Sequence, residues 1–379
     1  MKIALVSEYY YPDVGGMPEC VHHLAHGLAS LGHEPTILTS DFGSEEHDMP
    51  PAPRVKRIGK SVVFFSNGSI SRATVGWRIG AKVKRFLHEE KFDILHLHGP
   101  QWPLLPQLAL HGAPPETAIV GTLHTFFDDN LLMRTLRKPL VDFFEAIDAT
   151  TSVSENAARA MMRYVPELRY RVIANGIDIP WLRGGKRRPE LDDGRVNFMF
   201  LGRLEPRNEL PRLIEAFAMA LAARDNIRLI VVGDGPERRE LEQLVPDHAK
   251  DSIVFVGSVL GGRPDYFASS DVYCFTTRIG AMPISLLEAL GAGKAIIAPA
   301  IEPVRELCTS GKEGLIVPLD SLKGFVDAII SLADDRVARE EMSAAALRTA
   351  QKFAWPRIVD RYVDVYHEAR EMHAARGLV

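Results

Sequence analysis

The sequence has few cysteines, no long apolar run and no excess of positive charge. Its three cysteines, Cys20, Cys274 and Cys308, lie far apart in 379 residues. This usage predicts free thiols in a reducing compartment, with neither a disulfide framework nor a cysteine-based metal site. No segment approaches the roughly eighteen consecutive apolar residues of a membrane-spanning helix, so any membrane contact is expected to be peripheral.

The charge balance argues against nucleic acid as a partner. The formal net charge is −4, from 45 basic and 49 acidic side chains, so no global basic field would attract a polyanion. The first residues form a short apolar run without the long apolar core and cleavage site of a signal peptide. We therefore expect a cytoplasmic protein, whose membrane association would be limited to peripheral contact on the inner face.

Short apolar segments typical of strands alternate with amphipathic helical segments along the chain. The strands predicted in the first half are residues 2–10, 34–40, 61–65, 92–98, 118–124, 147–154 and 170–176. Those predicted in the second half are residues 196–203, 227–236, 252–259, 271–277 and 294–299. This alternation predicts two doubly wound α/β domains with parallel sheets, each covered by helices on both faces.

A polar, basic and glycine-containing stretch near residues 178–195 interrupts this pattern and is the predicted linker. We therefore predict an N-terminal domain over residues 1–178, a C-terminal domain over 195–355 and a terminal helix over 356–379. The terminal helix carries an apolar stripe and needs a partner, which we expect the first domain to supply. The stripe consists of Ile358, Tyr362, Val365 and Tyr366.

Glycine-containing loops follow the predicted strands at the places where α/β proteins bind ligands. The carboxyl ends of parallel strands, together with helix N-termini, offer free backbone N–H groups and a dipole that favours phosphate. Any one glycine there is usually a turn residue, so the loops are informative only as a set. They lack both the GxGxxG and the Walker spacing, which disfavours a dinucleotide oxidoreductase. The loops contain Gly15-Gly16, Gly202-Arg203 and Gly233-Asp234-Gly235.

Two charged side chains of the second half are candidates for nucleotide binding. Arg203 ends a predicted strand, where a guanidinium would suit bidentate contact with phosphate oxygens. The alternative is a surface ion pair between Arg203 and Glu205. Glu288 lies on an otherwise apolar helix, and at a helix start its carboxylate could accept hydrogen bonds from the two ribose hydroxyls. Its alternative is ordinary solvation.

Histidines end two predicted strands of the first half, His96 and His98 on one and His124 on the other. Strand-end histidines can face a substrate, and the alternative for each is a hydrogen-bonded structural role. Their spacing does not form a zinc site with the distant cysteines, so no metal is expected.

Residues 73–90 are predicted to form an amphipathic helix. Its apolar stripe would be Val75, Ile79, Val83, Phe86 and Leu87. Arg78, Lys82 and Arg85 would share another face, which together with Arg72 could contact the acceptor or an anionic membrane surface. The alternative is an ordinary solvated face, because every helix that covers a sheet is amphipathic.

Taken in order, these segments resemble family 4 glycosyltransferases with the GT-B fold over nearly the whole chain. The shared segments include FDILHLHGP, GTLHT, SVSENAAR, FLGRLEPRN, IVVGDGPERREL and LLEALGAGKAIIA. The first half is most similar to bacterial phosphatidylinositol mannosyltransferases, in SNGSISR and FDILHLHGPQWPLLPQLAL. The resemblance implies two Rossmann-like domains with a cleft between them and a C-terminal helix that crosses back to the first domain.

On matching positions, the resemblance implies that Gly15 and Gly16 back the donor diphosphate and that His124 lies beside the transferred sugar. It also implies that Arg203 neutralises the diphosphate and that Glu288 holds the ribose. Val256 and Gly257 would border the base. The donor-binding residues predicted in the second half are Arg207, Asn208, Gly233, Val256, Gly257, Met282, Pro283 and Ile284.

The chain departs from the family pattern at two positions. The family usually has a lysine where this chain has Asn208, a neutral amide, so Arg207 or Arg212 would have to supply the charge. The first glutamate of the family's paired-glutamate motif is replaced by Gly280. Pro283, in the same loop, removes one backbone N–H that could bind a sugar hydroxyl.

The resemblance implies a metal-independent retaining transferase that moves a hexose from a nucleotide-diphosphate sugar to a lipid-linked or glycan hydroxyl. GDP-mannose is the favoured donor and a UDP-sugar is the alternative. No cofactor is expected, because Arg203, backbone amides and helix dipoles would stabilise the leaving diphosphate. Two other functions stay open: a nucleotide-sugar epimerase of the same fold, which would need acid and base groups around the sugar, and a non-catalytic sugar-nucleotide-binding or partner-binding module.

Overall fold

A computed structural model describes residues 1–377 with a few gaps. The gaps are Val14, residues 44–51, 67–68 and 101–103, Asp128, Asn130, Leu136 and Leu260. Residues 67–68 and 101–103 belong to the two segments that most resemble phosphatidylinositol mannosyltransferases, and they lie outside the described residues. The chain divides into two compact units: unit 1 is residues 1–176 with 355–379, and unit 2 is residues 177–354.

Both units are built on β-sheets. In unit 1 the strands are β1 (Lys2–Val6), β2 (Glu34–Asp41), β3 (Val55–Ser66), β4 (Ser69–Val75), β5 (Ile94–His98), β6 (Ala118–Leu123), β7 (Ala149–Ser152) and β8 (Arg171–Val172). In unit 2 they are β9 (Val196–Leu201), β10 (Ile227–Val232), β11 (Ile253–Gly257), β12 (Val272–Cys274), β13 (Ala295–Pro299) and β14 (Gly314–Val317).

Helices cover these sheets. The first eight are α1 (Gly16–Ser30), α2 (Ile79–Glu90), α3 (Leu105–Gly112), α4 (Leu131–Thr135), α5 (Arg137–Glu145), α6 (Glu155–Met162), α7 (Ile179–Arg183) and α8 (Leu210–Leu221). The others are α9 (Arg238–Leu244), α10 (Arg263–Ser269), α11 (Ile284–Gly291), α12 (Glu302–Arg305), α13 (Leu322–Asp334), α14 (Arg336–Ala350) and α15 (Trp355–Ala375). Within the described part of the chain, no helix is long and apolar enough to cross a membrane.

The sheet of unit 1 has the strand order β4-β3-β2-β1-β5-β6-β7-β8. Neighbouring strands are parallel except β3 and β4, which form an antiparallel hairpin at one edge. Successive side chains of a strand point to opposite faces, so the buried strand β1 serves two cores. Ile3 and Leu5 join one apolar cluster, and Ala4 and Val6 join the other.

The C-terminal helix α15 belongs to unit 1, as predicted. Its stripe of Ile358, Tyr362 and Tyr366 is buried in the same cluster as the α1 residues Val21 and Leu24. Burying an apolar side chain of this size contributes roughly 1.5–3 kcal/mol, so the stripe anchors the helix firmly. The apolar partner that the terminal helix required is therefore the N-terminal unit.

The sheet of unit 2 is wholly parallel, in the order β11-β10-β9-β12-β13-β14. Phe198 and Phe200 of β9 face one core and Met199 faces the other, so this sheet is also covered on both sides. The two parallel sheets covered by helices confirm the predicted α/β class with two Rossmann-like domains. Strand β14, four residues long, was not predicted.

Two local predictions differ from the structure. Residues 178–194, predicted as part of a linker, lie in unit 2, where Ile179, Leu182 and Leu191 are buried in one of its cores. The helix predicted from residue 73 begins only at Ile79, because Val75 still pairs in strand β4. The three cysteines are free, as their usage predicted, and all three are buried.

Candidate functional site

Three loops at the carboxyl ends of β9, β10 and β11 are joined by backbone hydrogen bonds in unit 2. The Gly202 N–H donates to Val232 O over 3.1 Å, and the Gly233 N–H donates to Gly257 O over 2.8 Å. Gly233 has a φ of 137°, and an added Cβ would lie 1.9 Å from the carbonyl oxygen of Gly202. Only glycine allows this approach. Gly233 and Gly257 therefore help to fix the loop after β9, which carries Arg203.

Arg203 lies on this edge with just over half of its side chain exposed. Its Nε is 3.5 Å from a carboxylate oxygen of Glu205, and the other oxygen of Glu205 lies 2.5 Å from Arg207 Nε. The ion pair expected as the alternative for Arg203 is thus present. Two guanidinium groups share this one carboxylate, so it neutralises each of them only in part.

Asn208 is buried, and both ends of its side-chain amide are engaged within the protein. Its Nδ2 donates to the carbonyl oxygen of Arg203 over 2.6 Å, and its Oδ1 accepts from the Thr277 hydroxyl over 2.7 Å. Its backbone carbonyl accepts from the Thr276 hydroxyl. Asn208 therefore braces the loop that presents Arg203, and its contribution is structural support of that loop.

A second charge cluster lies beside these loops. Arg212 pairs with Glu209 at 3.2 Å, and Arg278 pairs with Glu209 at 2.9 Å and with Asp320 at 3.0 Å. Two cations and two anions balance, so Arg212 adds no net charge. Arg278 was not singled out in the sequence; its only signal there was a basic residue directly after the predicted strand 271–277.

Glu288 lies in the second turn of α11 and is buried, whereas the sequence suggested a position at a helix start. One carboxylate oxygen is 3.2 Å from Arg263 Nη1, and the Arg263 guanidinium lies 5.1 Å from the centre of the Trp181 ring. The helix start is formed instead by Pro283 as N-cap and Ile284 as the first helical residue, with Met282 before them.

The corresponding edge of unit 1 carries three histidine rings on one face of the sheet. His98 ends β5, and His124 follows β6. His98 Nδ1 is 2.9 Å from His124 Nε2. The His96 ring lies between Tyr366 of α15, at 2.9 Å from Nδ1, and the Thr122 hydroxyl, at 2.6 Å from Nε2. The structure thus brings His124 together with His98 and, through it, with the buried His96.

Burial sets the protonation state of these rings. It lowers the pKa of His96 to about 3 and that of His124 to about 4, and it holds the pKa of His98 well below its ordinary value. All three rings are therefore neutral at physiological pH, and each carries one N–H and one lone pair.

The N-terminus of α1 lies at the end of β1 on the same sheet. Gly15 is the N-cap and Gly16 is the first helical residue, so the first N–H groups of the helix have no capping side chain. Such a terminus favours a bound anion through both its free donors and its dipole. The preceding loop is held by an ion pair between Asp13 and Arg72 at 2.8 Å.

Glu8 is a buried carboxylate at this edge that the sequence analysis did not consider. It accepts hydrogen bonds from the Leu105 backbone N–H, over 2.6 Å, and from the Thr74 hydroxyl. Burial raises the pKa of this carboxyl above its usual value. The signal in the sequence was a carboxylate inside the predicted apolar strand 2–10. Its two bonds tie the loop after β1 to α3 and to β4.

The basic residues predicted to contact the acceptor or a membrane lie in two parts of unit 1. Arg72 lies in the β3–β4 hairpin and is committed to Asp13, whereas Arg78, Lys82 and Arg85 are exposed at the start and along the face of α2. Arg78 is the N-cap in a left-handed conformation, outside the helix proper. Beside them, Trp77 is 84% exposed. We call the surface of Trp77, Arg78, Lys82 and Arg85 the α2 patch.

Acidic, histidine and cysteine side chains do not gather into a metal site among the described residues, since no group of three or more lies close enough to hold an ion.

Comparison with known proteins agrees with this architecture. Residues 14–180 match the family described as "Glycosyltransferase Family 4", and residues 195–335 match "Glycosyl transferases group 1". Among solved structures, Anabaena Alr3699/HepE in complex with UDP has a TM-score of 0.75 at 19% identity, covering 96% of this chain and 99% of that one. Sucrose-phosphate synthase of Thermosynechococcus elongatus has a TM-score of 0.73 at 18% identity, covering 99% of both chains.

The curated relatives include enzymes that transfer mannose. The phosphatidyl-myo-inositol mannosyltransferase of Mycolicibacterium smegmatis is 31% identical, over 97% of this chain and 93% of its own. The GDP-mannose-dependent alpha-mannosyltransferase of the same organism is 27% identical over 97% of both chains.

The two parallel-sheet units, with a C-terminal helix that packs on the first, have the GT-B fold. The chain belongs to glycosyltransferase family 4. Family membership favours a transferase over the epimerase and the binding module that the sequence left open.

Proposed function

We propose that this glycosyltransferase moves mannose from GDP-mannose to a hydroxyl of a lipid-linked acceptor, with retention of configuration and without a metal ion. The observation that carries the proposal is the end-to-end similarity to a phosphatidyl-myo-inositol mannosyltransferase and a GDP-mannose-dependent mannosyltransferase. The site geometry of each unit supports it.

Unit 2 is proposed to bind the nucleotide diphosphate. The Arg203 and Arg207 guanidinium groups share a single carboxylate, so they retain positive charge for phosphate oxygens. The N-terminus of α11 adds backbone donors. Donors fixed in advance can stabilise the charge that develops on a leaving diphosphate, which is the task a metal performs elsewhere.

Retention is proposed to proceed by front-face displacement. A double displacement would need a carboxylate nucleophile, and Glu8, the buried carboxylate at the end of β1, is held by Leu105 N–H and the Thr74 hydroxyl. In the proposed step the bond between the anomeric carbon and the phosphate oxygen breaks as the acceptor oxygen bonds to the same face. The acceptor proton passes to the departing diphosphate.

The α2 patch is proposed to hold the enzyme at an anionic lipid surface that carries the acceptor. Arg78 and Lys82 are exposed, and Trp77 presents an apolar ring beside them. Basic side chains near such a surface each add about 1 kcal/mol, and an aromatic ring favours the interface. The exposed ring beside the basic side chains supports binding to a lipid surface over an ordinary solvated face.

A thermal-shift panel tests the donor assignment. Wild-type protein, Arg203→Ala and the control Arg239→Ala, an exposed arginine on α9, are compared with GDP-mannose, UDP-glucose, GDP and UDP in the presence of EDTA. A ligand that binds only the folded state raises the melting temperature. We expect shifts with GDP-mannose and GDP that Arg203→Ala removes and Arg239→Ala keeps. Shifts with UDP compounds alone would assign a uridine donor, and no shift at all would contradict the proposal.

Vesicle sedimentation tests the membrane contact. Replacing Arg78, Lys82 and Arg85 by serine should release the protein from vesicles rich in anionic lipid. A control with the same loss of charge replaces Lys250, Lys323 and Arg336, exposed basic residues of unit 2, and should bind as wild type does. Equal binding by both triple variants would exclude the α2 patch.

A further inference from the structure

The unexplained feature of unit 1 is the hydrogen bond between two histidine rings at the ends of adjacent strands. His98 lies opposite Thr122 in the register of β5 and β6, and His124 lies two residues beyond Thr122, so both rings occupy one face of the sheet. His98 Nδ1 and His124 Nε2 are 2.9 Å apart, with ring centres separated by 5.2 Å. The bond therefore follows from the strand register.

Two neutral rings can make this bond in two ways. In the first, His98 donates from Nδ1–H, so the His124 proton lies on Nδ1. In the second, His124 donates from Nε2–H, so the His98 proton lies on Nε2. Both rings are neutral at physiological pH because burial lowers their pKa values, and a neutral ring has only one N–H.

The second ring nitrogen of His98, Nε2, distinguishes these two arrangements. His98 Nε2 is buried and has no hydrogen-bond partner among the described residues. The neighbouring His96 cannot supply one, because its two nitrogens are engaged by Tyr366 and Thr122. In the second arrangement this atom would be a buried N–H without an acceptor, whereas in the first only a lone pair lacks a partner. Buried N–H groups without acceptors are the rarer case in proteins.

We infer that His98 is a positioning residue, which donates its Nδ1–H to His124 Nε2 and thereby keeps the proton of His124 on Nδ1. His124 is half-buried, and its Nδ1 has no partner among the residues that the structure describes. The ring thus presents a neutral, oriented N–H donor at the end of β6. On the proposed function, on which this part rests, its acceptor is an oxygen of the sugar donor.

Nitrogen spectroscopy tests the inference without reference to activity. Long-range ¹H–¹⁵N correlation spectra of the full chain labelled at histidine nitrogen distinguish protonated from bare ring nitrogens, and His98→Asn and His124→Gln assign the two rings. At pH 7 we expect His124 to be protonated on Nδ1 and His98 to be bare on Nε2. A proton on His124 Nε2 of the wild-type protein would overturn the inference, and the two variants serve only to assign the signals.

Two substitutions of His98 then distinguish its role as a hydrogen-bond donor from its role in packing. Asn at position 98 places its amide nitrogen near the position of Nδ1 and can still donate, whereas Leu fills similar space without a donor. We expect His98→Asn to keep the Nδ1–H form of His124 and to keep mannosyl transfer within about twofold. We expect His98→Leu to lose the single protonated form and to lower kcat/KM roughly tenfold, the effect of one hydrogen bond.

The possible failures are distinguishable. If wild-type protein shows the expected His124 proton but transfers no sugar, the proposed function fails and the role of His98 in setting the proton stands. If transfer is normal and the two variants have equal spectra and equal rates, the positioning role of His98 is wrong.

Discussion

Asn208 donates a hydrogen bond from its side-chain amide to the backbone carbonyl oxygen of Arg203 over 2.6 Å. The resemblance to the family implies a lysine at this position, whose charge would face the proposed diphosphate. Here the residue instead braces the loop that presents the arginine. In this chain the position therefore supports the loop, and the exposed pair Arg203 and Arg207 is left as the source of charge.

The buried setting of Asn208 predicts the effect of restoring the family residue. Asn208→Lys should lower the free energy of unfolding by about 1–3 kcal/mol, because Arg203 O and the Thr277 hydroxyl lose their partner. Donor affinity should not improve. Denaturant unfolding and donor titration measure the two quantities. Unchanged stability with tighter donor binding would show that the amide contributes nothing at this position.

Gly280 should accept the family residue without strain. An added Cβ would meet no heavy atom within 4 Å, and Gly280 is absent from the positive-φ glycines. We expect Gly280→Glu to change the free energy of unfolding by less than about 0.5 kcal/mol and to lower the KM for the sugar donor several-fold. Gly280→Gln, which lacks the charge, is the matched control. Equal KM values for both variants and the wild type would show that a side chain at position 280 does not contact the sugar.

The contact between Glu288 and Arg263 predicts an effect on stability that can be measured separately from ribose binding. Removing one partner leaves a largely buried charge, so Arg263→Gln should cost about 1–3 kcal/mol. The double variant with Glu288→Gln should cost less than the sum of the two single variants. If Glu288 holds the ribose, only variants that lack its carboxylate lose nucleotide affinity. Comparable loss in Arg263→Gln would mean that the ion pair acts as a unit.

The packing of α15 on α1 depends on the absence of a side chain at Gly27. A Cβ there would lie 2.3 Å from a methyl carbon of Val359. Gly27→Ala should therefore destabilise the protein by about 1–3 kcal/mol despite its higher helix propensity. Adding Val359→Ala should recover part of the loss, as measured by denaturant unfolding. If Gly27→Ala stabilises the protein, the two helices are not closely packed at this point.

The buried histidines predict acid sensitivity. The pKa of His124 is lowered by burial to about 4, from about 6.5 in an unfolded chain, so the unfolded state binds protons first as the pH falls. Its stabilising contribution is complete above pH 6.5 and is lost towards pH 4. Between pH 7.5 and 5.5 the wild type should lose about 1 kcal/mol more than His124→Gln does. Parallel stability curves would contradict the assigned burial.

Much of the fold could be predicted from alternation and apolar spacing, because buried strands such as β9 (Val196–Leu201) carry an unambiguous signal. Strand β14 was missed, and the last three residues of β4 were assigned to a helix because Val75 continues the apolar spacing of α2. The loop glycines and Arg203 could be placed at strand ends from the sequence. The partners of Asn208 and Glu288 were not, since hydrogen-bond direction depends on tertiary contacts that no local pattern encodes.

The most direct test of the central claim is a transfer assay with the full chain, GDP-mannose and phosphatidylinositol vesicles in the presence of EDTA. The anomeric configuration of the product is read by NMR. We predict a mannosylated lipid with the configuration of the donor, formed at the same rate with and without the chelator. No mannosylated lipid, a product of inverted configuration, or a rate abolished by EDTA and restored by a divalent ion would contradict the account.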